Sequence, residues 1–401
     1  MAVNNNFYSA INDLVAQAMG SDAVDVVDYA SFIDAGQKIT SLSGTDVQNG
    51  FVSALMNKLA VSVNTYRAYE GKFRELRKGI IGAGNTIEMI MYHFYDAIAA
   101  GFTPDALNAA ALAGTGIDQY QIFKPDVEAY YYTNTNAYTI PITIQRTELI
   151  KAWTTPASMD RFISGLLGSI INSNEKIGER FRVALLASLV DDSANDTNAK
   201  VVDSAWVGQP GTCYKLVSMY NATYNPTVPL TQATALNDPA FVAFAVEVIN
   251  TVLGAIGEVS TEYNLADIET FSPSESRTLY VSSIFAAKAK RVYSNTYNPQ
   301  YNMLADYTPV GAWQGGQTPL AIQVDGGTGD DREYLCLACI VDEFAAGEWI
   351  TSSEMDVTPY NARGKYWNNF FNVESRGVVN HGANFVSFLL DEPEEPEPPE
   401  P

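Results

Sequence analysis

Histidine and cysteine are nearly missing from this sequence, with two and three residues in 401. Three cysteines make no disulfide framework, which fits a reducing compartment. His93 and His381 stand alone, with no H-E-x-x-H and no G-x-S-x-G, so neither zinc hydrolysis nor nucleophilic catalysis has its usual residues. Positive charge is also scarce: 24 Lys and Arg against 46 Asp and Glu leave a net charge of −22. Such a balance opposes binding to phosphate backbones or anionic membranes. No apolar run approaches the roughly 18 residues of a membrane span, and the first six residues lack the basic-then-apolar order of a signal peptide. The expectation is a protein made in a cytosol, with no membrane contact.

Apolar residues, by contrast, are abundant at 47%, with 17% charged, which is the composition of a globular chain with a large core. The length suits two or three domains, or one subunit with long excursions. The organising stretch is Pro156 to Val190. Thr155 is placed to cap it, Pro156 occupies the first helical position, and Met159, Ile163, Leu166, Ile170, Ile177 and Phe181 recur at helical spacing. Asp160, Arg161, Glu175, Lys176, Glu179, Arg180 and Arg182 form the polar side. About 35 residues at 1.5 Å each span roughly 52 Å, a spine more than an ordinary domain helix.

Upstream, Asn6 to Ala60 shows discontinuous helical periodicity and reads as an arm. Lys72, Arg74, Arg77 and Lys78 form a basic cluster that can meet an acidic neighbour or stay solvated as a loop. Gly79, Gly82 and Gly84 follow as a flexible turn, lacking the Lys-Ser/Thr of a phosphate loop. Ala-rich residues from Asp105 to Gly116 are helical or loose. Tyr130 to Thr133 and Tyr138 to Ile144 are strand formers, and the intervening Asn134, Thr135 and Asn136 suggest a long hairpin. Downstream, Asp191 to Asn198 reads as a polar break and Ala199 to Gln232 as irregular. Asp238-Pro239 starts a buried helix, Thr278 to Val281 is a short strand, and Ile284 to Val292 is a further helix. Tyr334 to Val341 is a strand covered on both faces, within which Cys336 and Cys339 face opposite sides as inert thiols. The loop Asp325 to Asp331 lacks the alternating ligands of a calcium site and reads as solvated. No metal or cofactor is expected.

The C-terminal segments Met355-Asp-Val-Thr-Pro, Asn361-Ala-Arg-Gly-Lys-Tyr-Trp-Asn-Asn-Phe-Phe and Gly377-Val-Val-Asn-His-Gly-Ala-Asn-Phe-Val-Ser-Phe resemble the end of a tailed-phage capsid subunit. The resemblance runs to the major capsid proteins of short-tailed phages of the picovirus group, with the Hong Kong 97-like fold. Arg77-Lys-Gly-Ile-Ile-Gly-Ala-Gly-Asn-Thr-Ile-Glu resembles the start of that family's extended loop, and Thr143 to Ser173 its entry into the spine helix.

The resemblance implies an α+β fold with an N-terminal arm (1–62), an extended loop with adjoining strands (63–145) and a peripheral domain (146–198 and 351–383). It also implies an axial domain (199–350 and 384–390) and a disordered acidic, Pro-rich tail (391–401) where some members carry an immunoglobulin-like domain. It further implies a non-enzymatic subunit that assembles as pentamers and hexamers into an icosahedral or prolate virion head. That head would enclose double-stranded DNA without specific binding, and would be built in a host bacterial cytoplasm with scaffolding and portal proteins and with head-fibre or decoration proteins. An encapsulin-like cargo shell is the alternative. Candidate inter-subunit contacts are Lys72, Arg74, Arg77, Lys78, Tyr130, Tyr132, Tyr138, Arg363 and Gly364, with Gly364 expected to take a positive φ.

Overall fold

The computed structural model describes residues 5–20, 23–41, 45–59, 69–81, 86–94, 127–296, 304, 306–311, 321–325 and 331–392. Gly82, Gly84, the Ala-rich segment 105–116, the loop interior 326–330 and tail residues 393–401 lie outside these. The chain is α+β and divides into two compact units: residues 1–84, 134–185 and 347–377 form the first, and residues 85–133, 186–346 and 378–401 the second.

In the first unit, α1 (Asn5–Met19), α2 (Tyr29–Ser41) and α3 (Thr45–Leu59) precede a 3-10 turn (Arg74–Leu76) and β1 (Arg77–Ile80). β4 (Thr135–Gln145), α4 (Arg146–Ala152), the start of α5 (Pro156–Asn195), β11 (Ala346–Val357) and β12 (Tyr366–Val379) complete it. Its sheet has the order β1-β11-β12-β4, with β1 parallel to β11 and β12 antiparallel to β4. The arm is thus three helices whose Ile11, Phe32 and Phe51 share a core with Trp153, Met159 and Trp367. The Trp153 ring lies 4.9 Å from Phe32 and 5.3 Å from Phe51, an aromatic cluster that neither its position nor its spacing announces in the sequence.

The second unit holds β2 (Ile87–Tyr92) paired antiparallel to β3 (Val127–Tyr132), together with β5 (Val201–Val202), β6 (Cys213–Lys215), α6 (Leu216–Tyr224), α7 (Gln232–Ala235) and α8 (Pro239–Ala255). β7 (Arg277–Ser282), α9 (Ser283–Thr296), β8 (Thr308–Val310), β9 (Ala321–Asp325), β10 (Asp331–Asp342) and β13 (Phe385–Leu390) follow. The main sheet runs β5-β6-β13-β10-β7-β8, with β9 on β10. α8 and the central strands bury Phe241, Val248, Leu337, Ile340 and Phe388 together. Asp238 caps α8 as expected, accepting from Ala240 N–H at 2.8 Å.

Several expectations are corrected. The two Tyr- and Thr-rich runs do not pair with each other: β3 takes β2, and β4 takes β12 from Tyr366↔Gln145 to Arg376↔Thr135. Both runs alternate with period two, so nearness in sequence does not decide the partner; burial of Ile140 and Ile144 from β4 does. The spine α5 extends to Asn195 as a helix of 40 residues, roughly 60 Å long. The expected break at Asp191 fails because the polar residues there are satisfied: Asp192 Oδ2 is 3.0 Å from His381 Nε2, and buried Ser193 Oγ is 2.7 Å from both Val190 O and Ser387 Oγ. Arg77–Ile80, read as leading into a flexible turn, is a strand, and Gly79 takes φ +141° where the register with β11 shifts.

Helix α6 was not visible in a stretch read as irregular, and Asp391 explains why. Assigned to the tail, Asp391 is instead buried, accepting from Val217 N–H at 2.8 Å, from Ser218 N–H at 3.2 Å and from the Ser218 hydroxyl. The start signal of this helix is therefore supplied from more than 170 residues along the chain. Cys336 and Cys339 do not face opposite sides either. A register shift between Cys336 and Ala338 breaks the alternation and brings the two thiols into contact, and burial followed by this contact raises Cys339 well above the usual thiol range.

Candidate assembly surfaces

On α5 the positions Asn172, Glu175, Glu179 and Arg182 form one stripe at spacings of three, four and three. Arg182, expected on the solvated side, is 1% exposed. Its guanidinium donates to Glu348 Oε2 and Glu175 Oε1, both at 2.7 Å, and to Glu179 Oε2 at 3.2 Å. Burial alone would lower its pKa, but the coulombic pull of Glu175 and Glu348 more than reverses this, so it stays above its ordinary value. Glu179 also accepts from Lys72 N–H at 2.6 Å, Asn172 accepts from Tyr69 N–H at 2.8 Å, and Arg77 lies 3.5 Å from Glu175. The stripe therefore holds residues 69–77 against the helix, with Phe73 and Leu76 buried beside it. A side chain at Gly71 would collide with the Glu179 carboxylate.

This arrangement accounts for much of the basic cluster. The Lys72 backbone and the Arg77 side chain serve the stripe, and the Lys78 stem lies beside Gly347, close to where a side chain on that glycine would fall. Arg74 is exposed, with a 3.8 Å pair to Glu70 four residues earlier, a type of contact worth little in water. Tyr138 donates to Asn174 Oδ1 at 2.6 Å inside the first unit. On the β2–β3 ribbon, Tyr130 donates to Glu128, and burial pushes Tyr130, Tyr132 and Tyr138 up to about 12. His93, at the end of β2, has Nε2 3.4 Å from Glu128 Oε1. The ribbon leaves Ile90, Val127 and Tyr131 exposed.

Between β11 and β12, Asn361 Oδ1 accepts from Arg363 N–H at 3.1 Å and Gly364 N–H at 3.0 Å, closing a tight turn. The positive φ falls on Lys365 (+57°), not on Gly364. Glycine is needed at 364 for space instead: a Cβ there would lie 2.1 Å from the Tyr366 ring. Arg363 and Lys365 are both exposed at the tip. Among the described residues there is no cluster of histidine, cysteine and carboxylates fit for a metal, and no helix long and apolar enough to cross a membrane.

An α+β chain with one very long helix, a buried ion cluster that stiffens it, and exposed ribbon and turn surfaces has the layout of a structural subunit that tiles with copies of itself. The chain belongs to the Phi29-like phage major capsid protein family, whose family model matches residues 10–389. It is a structural protein of a phage capsid shell, and the family match lends no support to the cargo-shell alternative. No curated protein matches the sequence. Solved structures similar to it include a chain from the capsid of Staphylococcus phage Andhra, at 10% identity over 83% of this chain and 88% of that one, with a TM-score of 0.48. A chain from the Cyanophage P-SCSP1u capsid matches at 11% identity, 82% and 90% coverage and a TM-score of 0.42. One from the mature capsid of bacteriophage PhiM1 matches at 9% identity, 82% and 89% coverage and a TM-score of 0.41.

Proposed function

We propose that this subunit, with the Hong Kong 97-like division into arm, extended loop, peripheral and axial domains, closes as pentamers and hexamers into an icosahedral or prolate head around double-stranded DNA. It catalyses no reaction of its own. Assembly takes place in the host bacterial cytoplasm with scaffolding and portal proteins, head-fibre or decoration proteins attach to the finished shell, and the phage belongs to the picovirus group. The observation that carries this reading is the β2–β3 ribbon. Two strands alone bury too little to be stable in water, and Ile90, Val127 and Tyr131 remain exposed on them. A neighbouring copy covers Val127 and Tyr131 in the shell, and on the first unit Arg74 and the Arg363–Lys365 turn offer separate polar contacts.

The test replaces residues 87–132 with a short Gly-Ser linker. Circular dichroism should report a folded subunit, and sedimentation should report that it no longer forms closed particles. Normal particles would remove the ribbon from assembly, and an unfolded chain would make the ribbon part of the subunit's own core. A cut through Tyr130 to Tyr138 is unsuitable, because Tyr138 pairs with Val373 within the β4–β12 ladder.

A further inference from the structure

The charge of this chain is segregated. The first unit carries 16 basic and 16 acidic residues; the second carries 8 and 30, together making the 24 and 46 of the whole chain. All of the net −22 therefore belongs to the second unit. Within that unit lies an open cleft of about 580 Å³, lined by Met91, Phe94, Ile268, Phe271 and Phe344 with Glu269 among them. Phe94 is 50% exposed, Phe271 46% and Phe344 56%, and the Phe94 and Phe271 rings lie 6.4 Å apart. Half-exposed aromatic rings converging on one cleft mark an interaction surface. Exposed Glu275 and Glu343 flank its lining residues. The nearby cation Arg277 is turned inward, donating to Ser272 O at 3.1 Å.

We propose that this cleft receives a basic amphipathic segment of a partner protein other than this chain, its apolar face seated on the three phenylalanines and its Lys or Arg residues on the acidic rim. Charge selects this occupant. A second copy offers either a unit of the same strong negative charge or one of zero net charge, and DNA or an anionic membrane would be repelled. The open side suits a chain segment with spaced apolar anchors, as in helix-in-groove recognition, better than an enclosed small molecule.

The experiment uses the full-length soluble subunit, so it does not depend on the shell reading. Fluorescence anisotropy would measure binding of a labelled amphipathic Leu/Lys peptide of about 18 residues, five helical turns. A Ser/Lys peptide of equal charge and a Leu/Glu peptide serve as comparisons. The Leu/Lys peptide should bind about tenfold tighter than Ser/Lys, and Phe344→Ser or Phe94→Ser should remove about tenfold, the effect of losing one buried anchor. Glu269→Gln and a rise from about 0.02 M to about 0.3 M salt should each weaken binding, while Ile80→Ser in the first unit should not. Hydrogen exchange should slow in 89–94 and 268–273 on binding. Equal binding of Leu/Lys and Ser/Lys, or indifference to Phe94→Ser and Phe344→Ser, would overturn the proposal. So would loss of self-association in those variants with peptide binding intact, which would give the cleft to a second copy.

Discussion

Arg182 is the residue on which the first unit's polar interior turns. Three carboxylates converge on a guanidinium with 1% exposure through its two terminal nitrogens, while its Nε–H is left without an acceptor. Arg182→Met should destabilise the unassembled subunit by about 3–5 kcal/mol, because the carboxylates are left buried without their cation. A urea unfolding curve measures this, and a change below about 1 kcal/mol would show the cluster to be dispensable. Arg363 stands at the opposite extreme, exposed on a turn held by Asn361. Arg363→Ala should leave the melting curve unchanged and lower the yield of closed particles; undiminished yield would remove it from the assembly contacts. The three free cysteines are buried, and Cys213 is pushed up to about 12 by desolvation. A thiol reagent at about pH 8 should therefore label none of them in the folded subunit and all three in denaturant.

At the scale of elements, α6 and the chain end depend on each other. Asp391→Ala removes the acceptor for two backbone N–H groups and should cost about 0.5–2 kcal/mol, whereas a stop codon at Pro393 should cost nothing measurable. Burial raises the pKa of Asp391 despite its hydrogen bonds, so the folded state holds this proton more tightly than the unfolded one. Stability arising from this group therefore grows as pH falls through the raised value and levels off below the unfolded value of about 3.9. Wild type should gain on Asp391→Asn between pH 7 and pH 4 in paired urea melts; parallel curves would remove the linkage.

For the whole molecule, the −22 carried by the second unit makes association of second units with one another unfavourable in dilute buffer. Particle assembly should rise with ionic strength as the Debye length shrinks to about 10 Å near 0.1 M, and sedimentation across a salt series measures it. Alkaline pH should act oppositely. Tyr130, Tyr132 and Tyr138 keep their protons up to about 12 in the folded state, while an unfolded tyrosine releases its own near 10. The stability they contribute is whole below pH 10 and is lost between 10 and 12, so unfolding should move to higher pH in Tyr132→Phe.

Wherever a local pattern is self-sufficient, the residues alone determined the outcome. Pro156 and the 3.6-residue apolar stripe specify the start and body of the spine, Asp238-Pro239 specifies α8, and the unbroken apolar run 334–341 specifies a central strand. The charge balance likewise opposes binding to phosphate backbones and anionic membranes, a reading that needs only the residue counts. Tertiary structure alone decided the features whose partners are remote. Asp391 caps a helix that begins at Leu216, β4 passes over its sequence neighbour β3 for β12, and Glu348 from a distant strand turns Arg182 from a solvated cation into a buried one. A polar side chain looks the same in sequence whether water or a carboxylate satisfies it, and a strand's alternation shows which face is buried but not which edge is paired.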